Sequence, residues 1–181
     1  MMRLSFKKPR RKQRGFTLIE LLIATVVLLV GLVAVAQLVP AAIRLNTANR
    51  YDSTALVIAQ RQMEGMLNQP LTATTFTDPQ GLLCPAGNIC DLGNPANPNQ
   101  VVGSPVVIVN NRPMIDFSAG RVANYNFTFA DANDPSRVSY DVRWAVITFT
   151  NGTGKRLIVG VRRLGGNSPF QAVTLDTQVE K

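Results

Sequence analysis

The sequence predicts an α+β protein in which one long N-terminal helix, apolar in its first half and amphipathic in its second, packs against an antiparallel β-sheet head. Three observations carry this. From Phe16 to Ile43 the only ionisable side chain is Glu20, and Leu21 to Ala36 holds a single polar group, the Thr25 hydroxyl. Beyond that run apolar residues continue at helical spacing, and from Val106 onward they alternate as strands do. With 181 residues, 46% of them hydrophobic, the chain has room for one modest folded domain plus one membrane-length segment.

Residues 1–15 form a basic leader. The net charge of +8 would suggest nucleic acid if it were spread over the fold, but seven of the 19 Lys and Arg residues precede Gly15, and residues 16–181 keep 12 bases against 11 acids. The leader therefore gives no ground for nucleic-acid binding. A basic start before an apolar stretch is an export or insertion signal whose charged end stays cytoplasmic, which directs the rest outward. Residues 16–43 are long enough to span a hydrocarbon core, for which about 20 residues suffice. Two cleavage sites compete. Ala34-Val35-Ala36 before Gln37 fits ordinary secretory cleavage and would release a soluble binding or enzymatic domain. A cut between Gly15 and Phe16 instead removes the bases and leaves the apolar helix attached.

Gly15-Phe16-Thr17-Leu18-Ile19-Glu20, behind a basic leader and ahead of an apolar helix, resembles the processing signature of type IV prepilins and the related pseudopilins of type II secretion. The resemblance covers roughly Lys7 to Leu67. It implies that a prepilin peptidase in the membrane cuts after Gly15 and methylates the Phe16 amine. It also implies a subunit anchored in the inner membrane by one pass, head outside the cytoplasm. An assembly platform then adds it to other pilin or pseudopilin subunits in a pilus or periplasmic filament. Glycine before the cut lets the backbone extend closely into a protease cleft.

Glu20 has two readings. A lone carboxylate in a bilayer costs roughly 2.5–3.5 kcal/mol by insertion scales and calls for a partner. After cleavage the Phe16 ammonium is a candidate, one helical turn or roughly 6 Å away along the axis. The resemblance implies pairing between subunits, which fixes axial register. Thr17-x-x-Glu20 also fits a capping box, and a Glu at a helix start suits the macrodipole. The two roles can coexist.

Gly31 and Pro40 interrupt the apolar half. An interior Pro forfeits a backbone hydrogen bond and clashes with the preceding turn, at roughly 3 kcal/mol, so a kink or break is expected there; the resemblance implies unwinding in an assembled filament. Residues 44–68 continue the helix amphipathically: Leu45, Ala48, Ala55, Ala59, Met63 and Met66 recur at spacings of three, four or seven. Ala55-Leu56-x-x-Ala59-Gln60-x-x-x-Glu64, with the Leu-rich helix and a long mixed head, is similar to minor pilins of the PilV kind. Pseudopilins of the I-subunit kind share these features.

Residues 69–105, rich in Thr, Pro, Gly and Asn, read as a long loop. Cys84 and Cys90 enclose five residues there, and outside the cytoplasm such a pair most often forms a disulfide. Residues 106–181 supply the head. Val106 to Val109 is a short apolar run. Tyr125, Phe127 and Phe129 alternate with polar residues, and so do Tyr140, Val142, Trp144 and Val146 with Asp141, Arg143 and Ala145. Asn151-Gly152-Thr153-Gly154 then turns the chain into Leu157, Val159 and Val161, giving a hairpin over 138–164 whose aromatic face packs on the Ala/Met stripe.

No enzyme is expected. There is no His, so triads and dyads built on it are excluded, and neither cysteine has an activating base nearby. Asp116, Asp131, Asp134 and Asp141 read as solvated surface. Asp131-Ala132-Asn133-Asp134 lacks the Gly and distal Glu of a calcium loop, and C-x5-C alone is a poor zinc pattern. No metal or cofactor is expected.

Overall fold

A computed structural model describes residues 15–130, 138–149, 154–165 and 172–180. Among the described residues one helix, α1 (Leu18–Leu67), precedes nine strands: β1 (Thr75–Thr77), β2 (Ile89–Asp91), β3 (Val101–Gly103), β4 (Val106–Val109), β5 (Arg112–Ile115), β6 (Asn126–Ala130), β7 (Ser139–Thr148), β8 (Gly154–Leu164) and β9 (Val173–Glu180). The chain divides into two compact units, 1–46 and 47–181.

The described part of the first unit is helical from Leu18 and is built almost wholly from apolar residues. Its large side chains are exposed in the isolated chain, from Phe16 at 85% to Ile43 at 62%, and it contains a window long and apolar enough to cross a membrane. Thr25 donates its hydroxyl to the Leu22 carbonyl at 2.8 Å, so this polar side chain asks nothing of its surroundings. In the isolated chain α1 is helical through both Gly31 and Pro40. Pro40 has no N–H for the Ala36 carbonyl, but full helical turns on either side hold the backbone across one missing bond.

In the second unit, Ala55, Ile58, Ala59, Met63 and Met66 of α1 are buried against the sheet. Small residues at 55 and 59 let the strands come close. Tyr140, Val142, Trp144 and Val146 of β7 and Leu157, Val159 and Val161 of β8 supply the facing layer. Trp144 is fully buried; Phe76, Tyr125 and Phe127 surround it with ring centroids 6.2, 6.2 and 6.4 Å away. Its indole N–H reaches the Asp91 carbonyl at 2.8 Å, which satisfies the one polar atom a buried Trp brings with it.

The main sheet is antiparallel with order β3-β7-β8-β9, and β6 also pairs with β7. β6 takes residues 139–143 of β7 and β3 takes 145–147 along the same edge. The handover falls at Trp144, whose backbone bonds Tyr125 and Ser104. Gly103 sits at that crossing with φ 105°, and a Cβ there would lie 2.6 Å from the Trp144 carbonyl oxygen.

Two expectations need correction. Residues 69–105 are not one loop, because β1 and β2 pair across the Cys84–Cys90 segment and β3 joins the main sheet. Nor does alternation along β7 leave a wet face: residues 140–146 are buried without interruption. The hairpin β4–β5 and Phe117 cover the second face, where Ile115 and Phe117 pack on Ala145 and Ile158. Gly160 makes this possible, since a Cβ at that position would fall 2.7 Å from Ile115. The turn at 151–153 and the acids Asp131 and Asp134 lie outside the described residues.

Candidate processing and assembly site

Gly15, Phe16, Thr17 and Glu20 lie together at the start of α1. Thr17 is the cap. Its carbonyl accepts from the backbone N–H of Leu21 at 3.2 Å, closing the first helical turn. Its hydroxyl accepts from the backbone N–H of Glu20 at 3.3 Å. In return the Glu20 carboxylate receives the Thr17 backbone N–H and hydroxyl, each at 3.5 Å. These are the reciprocal bonds of a capping box. They are long against the usual range of roughly 2.7–3.2 Å, so the carboxylate is held loosely and stays open to a better partner. All four residues are exposed. Pro40 and Gly31 lie further along the helix, away from this cluster, and residues 1–14 of the leader lie outside the described residues.

Cys84 and Cys90 are disulfide-bonded with Cα atoms 6.1 Å apart. Beside them Asp78 gathers the backbone N–H groups of Gln80, Leu82 and Leu83 at 2.9, 2.5 and 2.7 Å. Burial pushes the Asp78 pKa up, but these bonds outweigh it and hold the carboxyl below its ordinary value. Leu83, positioned this way, fills the space over Gly65 of α1, where a Cβ would meet its methyl group.

Sequence reasoning missed two charged residues inside the head. Lys155, 4% exposed, donates from Nζ to the Ala73 carbonyl at 2.6 Å and the Gly93 carbonyl at 3.3 Å, tying the 73–93 segment to the sheet. Burial lowers its pKa. Asp141, expected at the surface, is 1% exposed and ion-paired with Arg121 and Arg143 at 3.0 Å each. Strand alternation hid Asp141, because it cannot register a second layer over the sheet; Lys155 shares the inward face of Leu157 and Val159, and its burial depends on the distant Ala73 and Gly93 carbonyls. Among the described residues no group of His, Cys, Asp and Glu could hold a metal ion.

The arrangement is that of a prepilin-processed subunit: a cleavable junction, a capped helix start and an apolar helix of membrane length. The prokaryotic N-terminal methylation motif matches residues 10–36, spanning the junction, Glu20 and the apolar run, and with it the chain is type IV pilin-like. The long N-terminal helix followed by antiparallel sheets is an α+β layout consistent with that fold. No curated protein and no solved structure matches the chain. The motif implies processing by a prepilin peptidase and assembly with other pilin subunits. Its match is to a structural signal, not to an enzyme.

Proposed function

We propose that the chain is a minor pilin, cut after Gly15, methylated on Phe16, and built into a type IV pilus through its N-terminal helix. The observation that carries this is the Gly15-Phe16 junction inside the matched motif at residues 10–36, followed by a helix whose apolar side chains are uncovered in the isolated chain. Such a surface needs lipid before assembly and neighbouring helices after it. Glu20 is the register residue: once the leader is gone, the Phe16 ammonium of the adjoining subunit offers it a full ion pair in place of two 3.5 Å hydrogen bonds. In the low dielectric of a filament core that pair is far stronger than in water. The subunit passes once through the inner membrane with its head outside, and an assembly platform moves it into the filament.

A type II secretion pseudopilin uses the same signal and is the second reading, favoured by the same motif. Release of a soluble domain after Ala36 is the rival from another class. It requires cleavage within α1, where Ala34 and Ala36 are helical, and it would discard the very segment that the motif matches. Mass spectrometry of the mature N-terminus separates a filament subunit of either kind from the released domain: methylated Phe16 is expected, and Gln37 would end the filament reading.

A further inference from the structure

The hairpin β4–β5 leaves one of its two edges open. Asn110 and Asn111, with φ of 50° and 61°, make the two-residue turn that suits the twist of a tight hairpin. The Asp116 N–H donates to the Pro105 carbonyl at 2.8 Å, which marks residues 105 and 116 as a bonded pair, and antiparallel pairs alternate between bonded and unbonded. Val107 and Val109 therefore exchange hydrogen bonds with Met114 and Arg112. Val106 and Ile108, opposite Ile115 and Pro113, turn their N–H and C=O groups away from β5. Among the described residues no backbone group answers those four.

The sequence closes the other edge and not this one. Pro113 lacks the N–H that would point outward from β5, which bars a strand from adding there. Val106-Val107-Ile108-Val109 carries neither proline nor charge, the usual devices that keep an edge from pairing. Its side chains are also partly uncovered. Val106 packs on the cluster of Ile115, Phe117, Ala145 and Ile158, yet Ile108, two residues on and on the same face, is 69% exposed. Val107 and Val109, on the opposite face, are 41% and 44% exposed.

Donors and acceptors spaced along an extended strand are matched by another extended strand, and uncharged apolar side chains by an uncharged one. The contact is small. Pairing along four residues falls far short of the roughly 1,000 Å² that a stable complex of free molecules buries, so a second copy of the chain gains too little from it. A segment already held nearby meets the edge at high effective concentration and needs no larger surface. We propose that the β4 edge takes up one extended, uncharged, β-branched segment from the head of a neighbouring filament subunit, which joins the hairpin as a third strand. The source of that segment rests on the filament reading; its chemistry rests on β4 alone.

The test uses the full chain in nonionic detergent micelles, the uncharged pentapeptide acetyl-Thr-Val-Thr-Val-Thr-amide as probe, and residue-resolved amide hydrogen exchange as readout. Without peptide, Val107 and Val109 are protected while Val106 and Ile108 exchange freely. Millimolar peptide slows exchange at Val106 and Ile108, and the same peptide fully N-methylated, its donors removed, does not. Ile108→Pro deletes one outward N–H and no bond to β5, as Pro113 does across the hairpin. It weakens binding at least about tenfold and keeps the Trp144 indole signal of a folded head. Should that variant unfold, Ile108→Lys serves instead, since it keeps the backbone and sets a charge on the edge, with the same loss expected. No added protection at Val106 and Ile108, unaltered affinity in the folded variant, or equal binding of the N-methylated peptide overturns strand addition. Protection of both amides without peptide, together with concentration-dependent dimers in sedimentation, overturns the neighbour in favour of a second copy. In sheared filaments exchange over residues 105–109 is slower than in the free chain, and equal exchange overturns the neighbouring subunit as the source. A mature N-terminus at Gln37 would end the filament reading and leave peptide binding at β4 untouched, so the two failures are told apart.

Discussion

On the proposed reading, Glu20 serves two stages of the protein's life. While the leader is attached, the nitrogen of Phe16 is a neutral amide and the carboxylate has only the loose cap with Thr17 to satisfy it. Cleavage turns that amide into an ammonium and supplies a charge one turn away. Glu20→Ala therefore leaves processing intact, because the cap it removes is worth about 1 kcal/mol, but sharply lowers incorporation into filaments. Unchanged recovery of the variant in sheared filaments would reject the pairing. At the scale of single groups Asp78 gives a prediction of a different kind. Its folded pKa lies below the ordinary 3.8, so the stability it contributes is complete above that value and is lost as pH falls through the lower folded pKa. Urea midpoints of the detergent-solubilised chain are expected to drop on acidification, and Asp78→Asn to flatten part of that drop at the expense of stability at neutral pH. Parallel acid profiles for the two chains would refute it. The proposed processing residues are legible in the sequence because a protease would read them as a linear string. Asp141 and Lys155 are not, since their burial depends on strands and loops far away along the chain.

Among the elements, α1 is the plainest to read and its second half the most sensitive to change. Ala59 is fully buried where α1 meets β7 and β8, so Ala59→Leu forces extra volume between helix and sheet at a cost of about 1–3 kcal/mol. Thermal unfolding in micelles should show the loss, while Gln60→Leu on the exposed neighbour should not. The disulfide acts on the β1–β2 segment. Replacing Cys84 and Cys90 with Ser releases a short loop in the unfolded chain and is expected to cost about 2 kcal/mol. The strands β6, β7 and β8 stand where alternation of aromatic and β-branched residues puts them. β1, β2 and β3 have three residues each, too few to show a period, and they depend on non-local partners. β9 carries a fainter signal: Val173, Leu175, Thr177 and Val179 alternate with Thr174, Asp176, Gln178 and Glu180, and the Thr at 177 dilutes its apolar face.

For the molecule as a whole, what matters is where the core begins. Among the described residues every buried apolar side chain lies at Ala55 or later, and the fully buried set draws on α1 from Ile58, on β7 and β8, and on the disulfide of Cys84 and Cys90. The apolar segment before Asn46 contributes nothing to that core. Its sequence suits a lipid or filament environment, whereas the head has a buried core of its own. Residues 47–181 expressed without the preceding segment are therefore expected to fold to a soluble monomer, with the Trp144 fluorescence of a buried indole and a single cooperative unfolding transition. The last turns of the helix, from Ala55 to Met66, must be retained, because Ala55, Ile58, Ala59, Met63 and Met66 form one wall of the core. A fragment starting after Leu67 should lose that wall and expose Trp144. Were the 47–181 fragment to behave as an aggregated or molten chain, the apolar segment would have to stabilise the head directly, and the division of labour between anchor and head would be wrong.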